Sequence, residues 1–403
     1  MTTRRLERLE PWINRFAGHG TAMPPAELGR RTLIGLLGLL VVWRGCILLY
    51  SYVWGRLPIY APWPPEIDPM WLFKFSIRWD AGWYLTIATE GYSYDPNASS
   101  SVAFFPLFPL LIRAANVVLP GGAAFAGLVV VHLALAAAVV YVYKLVRLDF
   151  SEQVAWRTVV FLLVFPGAFF FSAIYAESLL LLGFAGSLYH ARRGQWLLAG
   201  LFGVVASATK FMGIILIIPL AVELIAQRQL SWRKPWPALS VALAPLGAAA
   251  YFIYLQLTFG NWRATLDTQS FWHRETGRPA WTLFIERMLG DESPLIAYPA
   301  NTAPLKTAFL LMDTSLLWLF TLAGIWLWWR YRPSYGAFVL AGCCVFGFSG
   351  IAQSINRYTA VLFPAFLILG TIKSEVVRTL LIIVSVFGLT VTAWLYVEGY
   401  WAG

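Results

Sequence analysis

Apolar runs of about 15–25 residues, separated by short polar or basic loops, fill most of this chain. The pattern predicts membrane-crossing helices over about 33–55, 123–146, 157–173, 178–191, 196–209, 211–227, 237–257, 304–329, 335–353, 357–372 and 379–400, about eleven in all. The stretch 196–227 is too long for one short span and is interrupted by Lys210, so it is read as an outward half and an inward half. Lys144, Arg147, Arg192, Arg193, Arg228, Arg233, Lys234, Arg330, Arg332, Lys373 and Arg378 all fall in alternate loops. An excess of Lys and Arg marks cytoplasmic loops, so those loops are placed inside and the two long ones, 56–122 and 258–303, outside. Within the first outer loop, residues 103–120 are apolar but carry Pro106, Pro109, Arg113 and Pro120, which suits a membrane-surface or re-entrant segment.

The fold class that follows is an all-α polytopic membrane protein. Residues 1–32 are expected to form a cytoplasmic basic segment, either an interfacial helix with Leu6, Leu9, Ile13 and Phe16 on one face, broken near Pro11, or a disordered tail, and 33–403 to form a single transmembrane domain. Composition agrees. Of 403 residues, 59% are hydrophobic and only 12% charged, where a soluble domain carries roughly 25% charged residues. The net charge of +10 is therefore expected as Lys and Arg in the cytoplasmic loops, not as a nucleic-acid surface. Cys46, Cys343 and Cys344 lie in apolar runs, at spacings that give neither a disulfide framework nor a zinc site. The first apolar run starts late, is long and lacks a small-residue cleavage site, so no cleavable signal peptide is read.

Charge in the apolar context is where chemistry is expected. Under this topology Asp80, Glu90, Glu177, Lys210, His273 and Arg357 all fall at outer helix ends or in outer loops. Asp80 stands in the aromatic stretch Arg78-Trp79-Asp80-Ala81-Gly82-Trp83-Tyr84, on one helix face with Tyr84 and Ile87, and is read as a catalytic base or as a helix N-terminal acid. Glu177 sits in a tight outer turn, to orient a substrate hydroxyl, balance a cation or cap the turn. Lys210 and Arg357 are candidate phosphate contacts, the alternative for each being a lipid headgroup. Trp79, Tyr84, Tyr175 and Gln353 flank these groups and join them as candidate donor-binding residues. Glu90 is read as structural. Arg44 and Asp313 lie within spans and are expected to be partnered structural charges, with cavity lining as the alternative for Asp313. His273 has no second histidine at ligand spacing, so no metal site and no cofactor is read.

This kit suits glycosyl transfer from a polyprenyl-phosphate sugar. The leaving group is a phosphate monoester, which needs cations rather than a general acid. The acceptor hydroxyl needs one base near the anomeric carbon, and in-line attack inverts that carbon. The sequence also resembles the PIG-V family, of the GPI mannosyltransferase 2 type. The resemblance rests on Trp79-Asp80 with Tyr84-Leu85-Thr86-Ile87-Ala88 and Gly91-Tyr92, on Ala103-Phe104-Phe105-Pro106-Leu107-Phe108-Pro109-Leu110, and on Phe171-Ser172-Ala173-Ile174-Tyr175-Ala176-Glu177-Ser178-Leu179. Ala206 to Gly213, and Arg357-Tyr358 near Phe363-Pro364, extend it. One departure stands out, because the family pattern carries Arg where this chain has Lys210. The resemblance implies a GT-C-type membrane glycosyltransferase, a polyprenyl- or dolichyl-phosphate mannose donor, a glycolipid or glycan acceptor, and an active site on the extracytoplasmic face with its acid at Asp80. The short chain suits a prokaryotic relative, hence a bacterial inner membrane, or the ER membrane in a eukaryote. The competing classes are a lipid-linked sugar transporter or flippase and a non-catalytic assembly subunit. A transporter places paired ionisable groups near the midplane, often in repeated halves, whereas these candidates gather at one face and no repeat is seen. An assembly subunit would survive loss of Asp80.

Overall fold

The computed structural model describes residues 27–54, 76–272, 303–348 and 354–397, with 279 and 282. The basic segment before residue 27, His273 and Gln353 lie outside them. The described residues are helical, with no strand among them. In chain order the helices are α1 (Arg30–Trp54), α2 (Asp80–Thr89), α3 (Leu107–Val118), α4 (Gly122–Arg147), α5 (Glu152–Val164), α6 (Glu177–Arg192), α7 (Trp196–Thr209) and α8 (Ile217–Ala226). They continue as α9 (Trp236–Leu243), α10 (Leu246–Phe259), α11 (Ala264–Asp267), α12 (Ala303–Arg330), α13 (Pro333–Gly347), α14 (Ile355–Ala360), α15 (Pro364–Gly370) and α16 (Glu375–Val397).

Among the described residues four helices, within α1, α4, α12 and α16, are long and apolar enough to cross a membrane, and α9 with α10 make a fifth if their 48° bend is one span. Eleven crossings are not confirmed by helix length. Several expected spans are broken helices, and proline is the cause. Proline has no N–H to give and its ring clashes with the preceding turn. The run expected as 157–173 leaves the α form at Val164, and Pro166–Phe171 continue as a 3-10 helix. Pro245 stands at the bend between α9 and α10, and Pro364 restarts the chain as α15 after α14. The run 196–227 does break at Lys210, whose extended backbone (φ −154°, ψ 148°) ends α7. The 3-10 helix Phe211–Leu216 then folds back on α7. Only glycine allows this, since a Cβ at Gly213 would lie 2.2 Å from the Ala206 carbonyl carbon.

The stretch 103–120 resolves into amphipathic α3, which buries Phe108 and Ile112 and exposes Leu110, Val117 and Val118. Arg113 on α3 donates from Nε to the Ala88 carbonyl (2.7 Å) and from Nη2 to that of Ile87 (3.0 Å). A cation thus satisfies carbonyls at the C-terminal end of α2, where the helix dipole favours it.

Helix α6 ties two polar clusters together. Glu177 begins it and Arg192 ends it, about 22 Å apart at roughly 1.5 Å per residue. At the Arg192 end, the guanidinium grips Asp149 through Nη2 (2.7 Å) and Nη1 (2.5 Å) and donates to the Tyr335 hydroxyl (2.6 Å). Glu223 of α8 takes Arg332 Nε (2.9 Å), Ser334 Oγ (2.7 Å) and Gln227 Nε2 (2.6 Å), and lies 3.6 Å from Arg192 Nε. Arg192 and Glu223 are each 1% exposed. Removing one partner of such a pair strands the other charge in a dry interior. Glu223→Ala is therefore expected to lower stability by about 3–5 kcal/mol, read as a lower melting temperature of the detergent-solubilised protein. An unchanged melt would mean that the network adds nothing.

Candidate active site

Four charged side chains meet at the Glu177 end of α6. Arg357, on α14, donates from Nη1 to Asp80 Oδ2 at 2.7 Å. Its Nε lies 3.2 Å from Glu177 Oε1, and Nη2 donates to the Tyr358 hydroxyl at 3.0 Å. Lys210 Nζ contacts the same Glu177 oxygen at 2.5 Å. The array runs Asp80, Arg357, Glu177, Lys210 and alternates in sign, so it is balanced within itself.

Local backbone aims each group. Asp80 is the first residue of α2, after Trp79, whose φ of 55° is left-handed and rare for a bulky side chain. That turn is held from behind. The Tyr175 hydroxyl donates to the Arg78 carbonyl (3.0 Å), the Tyr396 hydroxyl donates to it as well (3.3 Å), and Ile174 N–H donates to the Ser76 carbonyl (2.9 Å). Glu177 opens α6, so its carboxylate lies at the positive end of the helix dipole. Lys210 takes its place at the break between α7 and the 3-10 helix. Arg357 is set by α14, which packs on the 3-10 helix Pro166–Phe171 so closely that a Cβ on Gly167 would lie 2.4 Å from the Asn356 carbonyl oxygen. Gly167→Ala is expected to push α14 away and cost about 1–3 kcal/mol of stability, measured by thermal unfolding. A melt equal to that of the parent protein would show the approach to be slack.

Exposure separates the two carboxylates. The Glu177 side chain is 1% exposed and Asp80's is 18% exposed. Asp80 keeps Oδ1 beside the oxygen given to Arg357, whereas Glu177 Oε2 is buried without a hydrogen-bond partner among the described residues. Arg357, 3% exposed, is enclosed by three rings, with Cζ 4.8 Å from the centre of Tyr358 and 5.4 Å from those of Phe170 and Tyr175. Lys210 Nζ lies 5.0 Å from the Tyr358 ring. Both cations are thus held by aromatic faces as well as by carboxylates.

Of the residues expected at a site, the structure brings Asp80, Glu177, Lys210 and Arg357 into one contact network. Tyr175 lies beneath it, wholly buried, bracing Arg357 and the Arg78 turn. Tyr84 is 2% exposed, wedged edge-on against Phe104 (5.1 Å) and Phe108 (4.9 Å). Trp79 forms the left-handed turn itself. Arg44, expected to be a partnered charge, donates to Ser76 Oγ at 3.1 Å. Sequence reasoning missed Tyr358 and Phe170. Tyr358 carried a signal in its place beside Arg357, while Phe170, 187 positions from Arg357 in sequence, carried none. Among the described residues no group of three or more His, Cys, Asp and Glu gathers as a metal site would need.

Residues 102–255 match the family described as Dolichyl-phosphate-mannose-protein mannosyltransferase. The GPI mannosyltransferase 2 of Cryptococcus neoformans var. neoformans serotype D is 31% identical over 146 residues, which span 34% of this chain and 34% of that protein. The resemblance to the GPI mannosyltransferase 2 type thus has a relative of that name behind it. The match takes in about a third of the length of that relative. Among solved structures, ArnT from Cupriavidus metallidurans, bound to undecaprenyl phosphate, is similar at 14% identity, covering 90% of this chain and 76% of its own, with a TM-score of 0.48. The oligosaccharyltransferase AglB of Archaeoglobus fulgidus, in complex with an inhibitory peptide and a dolichol-phosphate, is similar at 13% identity, covering 89% of this chain and 56% of its own, with a TM-score of 0.40.

Proposed function

We propose that this chain is a GT-C-type membrane glycosyltransferase that moves a hexose, mannose by resemblance, from a polyprenyl-phosphate donor to a hydroxyl of a glycolipid or glycan acceptor on the extracytoplasmic face. The observation that carries the reading is the contact of Arg357 with both Asp80 and Glu177, with Lys210 on the far side of Glu177. One half-open carboxylate beside two cations is what transfer from a sugar phosphate asks for. The match of residues 102–255 and the mannosyltransferase relative support the same class.

In this mechanism Asp80 Oδ1 takes the proton of the acceptor hydroxyl. The freed oxygen attacks the anomeric carbon from the side opposite the phosphate. The carbon–oxygen bond to the phosphate breaks, its electron pair leaves with polyprenyl phosphate, and the sugar inverts. Arg357 and Lys210 hold the charge gathering on the leaving oxygen. Glu177, enclosed between them, keeps both cations in place. The donor's lipid tail remains in the bilayer, which accounts for a charged site among apolar helices.

The test is transfer by the purified protein from polyprenyl-phosphate mannose, labelled in the sugar, to lipids extracted from the host membrane. Labelled glycolipid should form together with polyprenyl phosphate, and a linkage-specific mannosidase should report an inverted anomer. Retention of configuration would remove Asp80 as sole base. Movement of intact donor across a vesicle, without transfer, would favour the flippase. Activity only beside a second subunit, and insensitive to Asp80, would favour the assembly role.

A further inference from the structure

Asp313 lies in α12, one of the long apolar helices, and is only 5% exposed. A carboxylate in such a helix is costly unless something satisfies it. Here the backbone does. Asp313 Oδ1 accepts the N–H of Asn356 at 3.0 Å, and Oδ2 accepts that of Ile355 at 3.2 Å. These are the first two residues of α14, whose amides have no partner within the helix. The residue before them, Ser354, has a φ of 66°, a left-handed conformation that a serine adopts only when held there. Asn356 then closes its own side-chain oxygen on the N–H of Arg357 at 2.6 Å. The next side chain in line is the guanidinium that grips Asp80.

We infer that Asp313 is a positioning residue for the transfer reaction, a buried two-oxygen cap that fixes where Arg357 stands relative to Asp80 and Glu177. The inference rests on the glycosyltransferase reading above. Both oxygens are needed because the N–H groups of Ile355 and Asn356 reach one each. Asparagine at 313 would keep one acceptor and turn an NH2 group toward the other amide, donor against donor. Asp313 itself makes no contact with Asp80, so its effect reaches the chemistry only through Arg357. Small misplacements of a phosphate-holding group are expensive in rate.

The test is a double-mutant cycle with polyprenyl-phosphate mannose in the full-length protein. Asp313→Asn should lower kcat/KM for the donor on the order of 10- to 100-fold, mainly through KM. In an Arg357→Lys background, where the fork is already lost, the same change should cost about twofold or less. Amide hydrogen exchange over residues 354–360 should rise in Asp313→Asn, a readout that does not need activity. Asp313→Ser, with one small acceptor, is run in parallel, and thermal unfolding checks that each variant is folded. Equal losses in both Arg357 backgrounds would make Asp313 merely structural and overturn the inference, as would unchanged exchange at 354–360. Absence of transfer in the parent protein, with exchange raised in Asp313→Asn, would instead sink the functional reading and leave the cap standing.

Discussion

Asp80→Asn is expected to yield a protein that folds and inserts but has lost transfer, with kcat down by about 10²–10⁴-fold. The change is nearly isosteric. The asparagine oxygen still accepts from Arg357 Nη1, where Asp80 Oδ2 now does at 2.7 Å, so α2 and its left-handed Trp79 turn keep their place. What disappears is the lone pair basic enough to take a hydroxyl proton. Donor affinity should change little, because Arg357 and Lys210 remain. Single-turnover kinetics with bound donor separates the two effects, since the loss should lie in the chemical step and not in donor KM. Glu177→Gln is the control. Its carboxylate is enclosed and shared by two cations, so its loss should weaken binding as well as rate. Turnover near that of the parent in Asp80→Asn, with chemistry lost in Glu177→Gln, would move the base from one residue to the other.

Arg357→Ala should act on stability and function together. The guanidinium is buried and contacts two carboxylates, Asp80 and Glu177. Its removal leaves both with less positive charge than their environment requires, which costs about 3–5 kcal/mol when a buried pair is broken from one side. Donor binding should weaken by about 2–5 kcal/mol, the range for truncating one partner of a buried charged contact. Arg357→Lys is the informative companion. An ammonium restores charge but cannot reach Asp80, Glu177 and the Tyr358 hydroxyl at once, so stability should return further than donor affinity. Melting temperature and the affinity for polyprenyl phosphate are the two measurements. Unchanged affinity in Arg357→Ala would remove this residue from the phosphate site.

The sequence made the helices legible because their apolar runs are long and composition leaves no other use for them. Their breaks were less legible. Pro166, Pro245 and Pro364 were in plain view, yet hydropathy averages across a proline and reads one run where the backbone makes two. The candidate site was half legible. A charged residue in an apolar chain is rare enough to single out, and Asp80, Glu177, Lys210 and Arg357 were all found that way. Their pairing was not, since Asp80 and Arg357 stand 277 positions apart and no local period links them. Nor did residue type announce the left-handed turns at Trp79 and Ser354, where glycine or asparagine is the usual sign. Arg192 and Arg332 were counted as basic loop residues. A rule that counts charge by loop does not see that Asp149 and Glu223 fold over them.

The lattice of ion pairs joining α6, α8 and the start of α13 has a consequence for how variants behave in a cell. It lies a helix length away from the cluster of Asp80, Arg357, Glu177 and Lys210. Harm done there should appear as fewer surviving copies, cleared by quality control, each working at its normal pace. Harm at Asp80 should appear as a full complement of idle copies. Quantifying abundance alongside per-molecule turnover would therefore sort an uncharacterised variant to one end of α6 or the other.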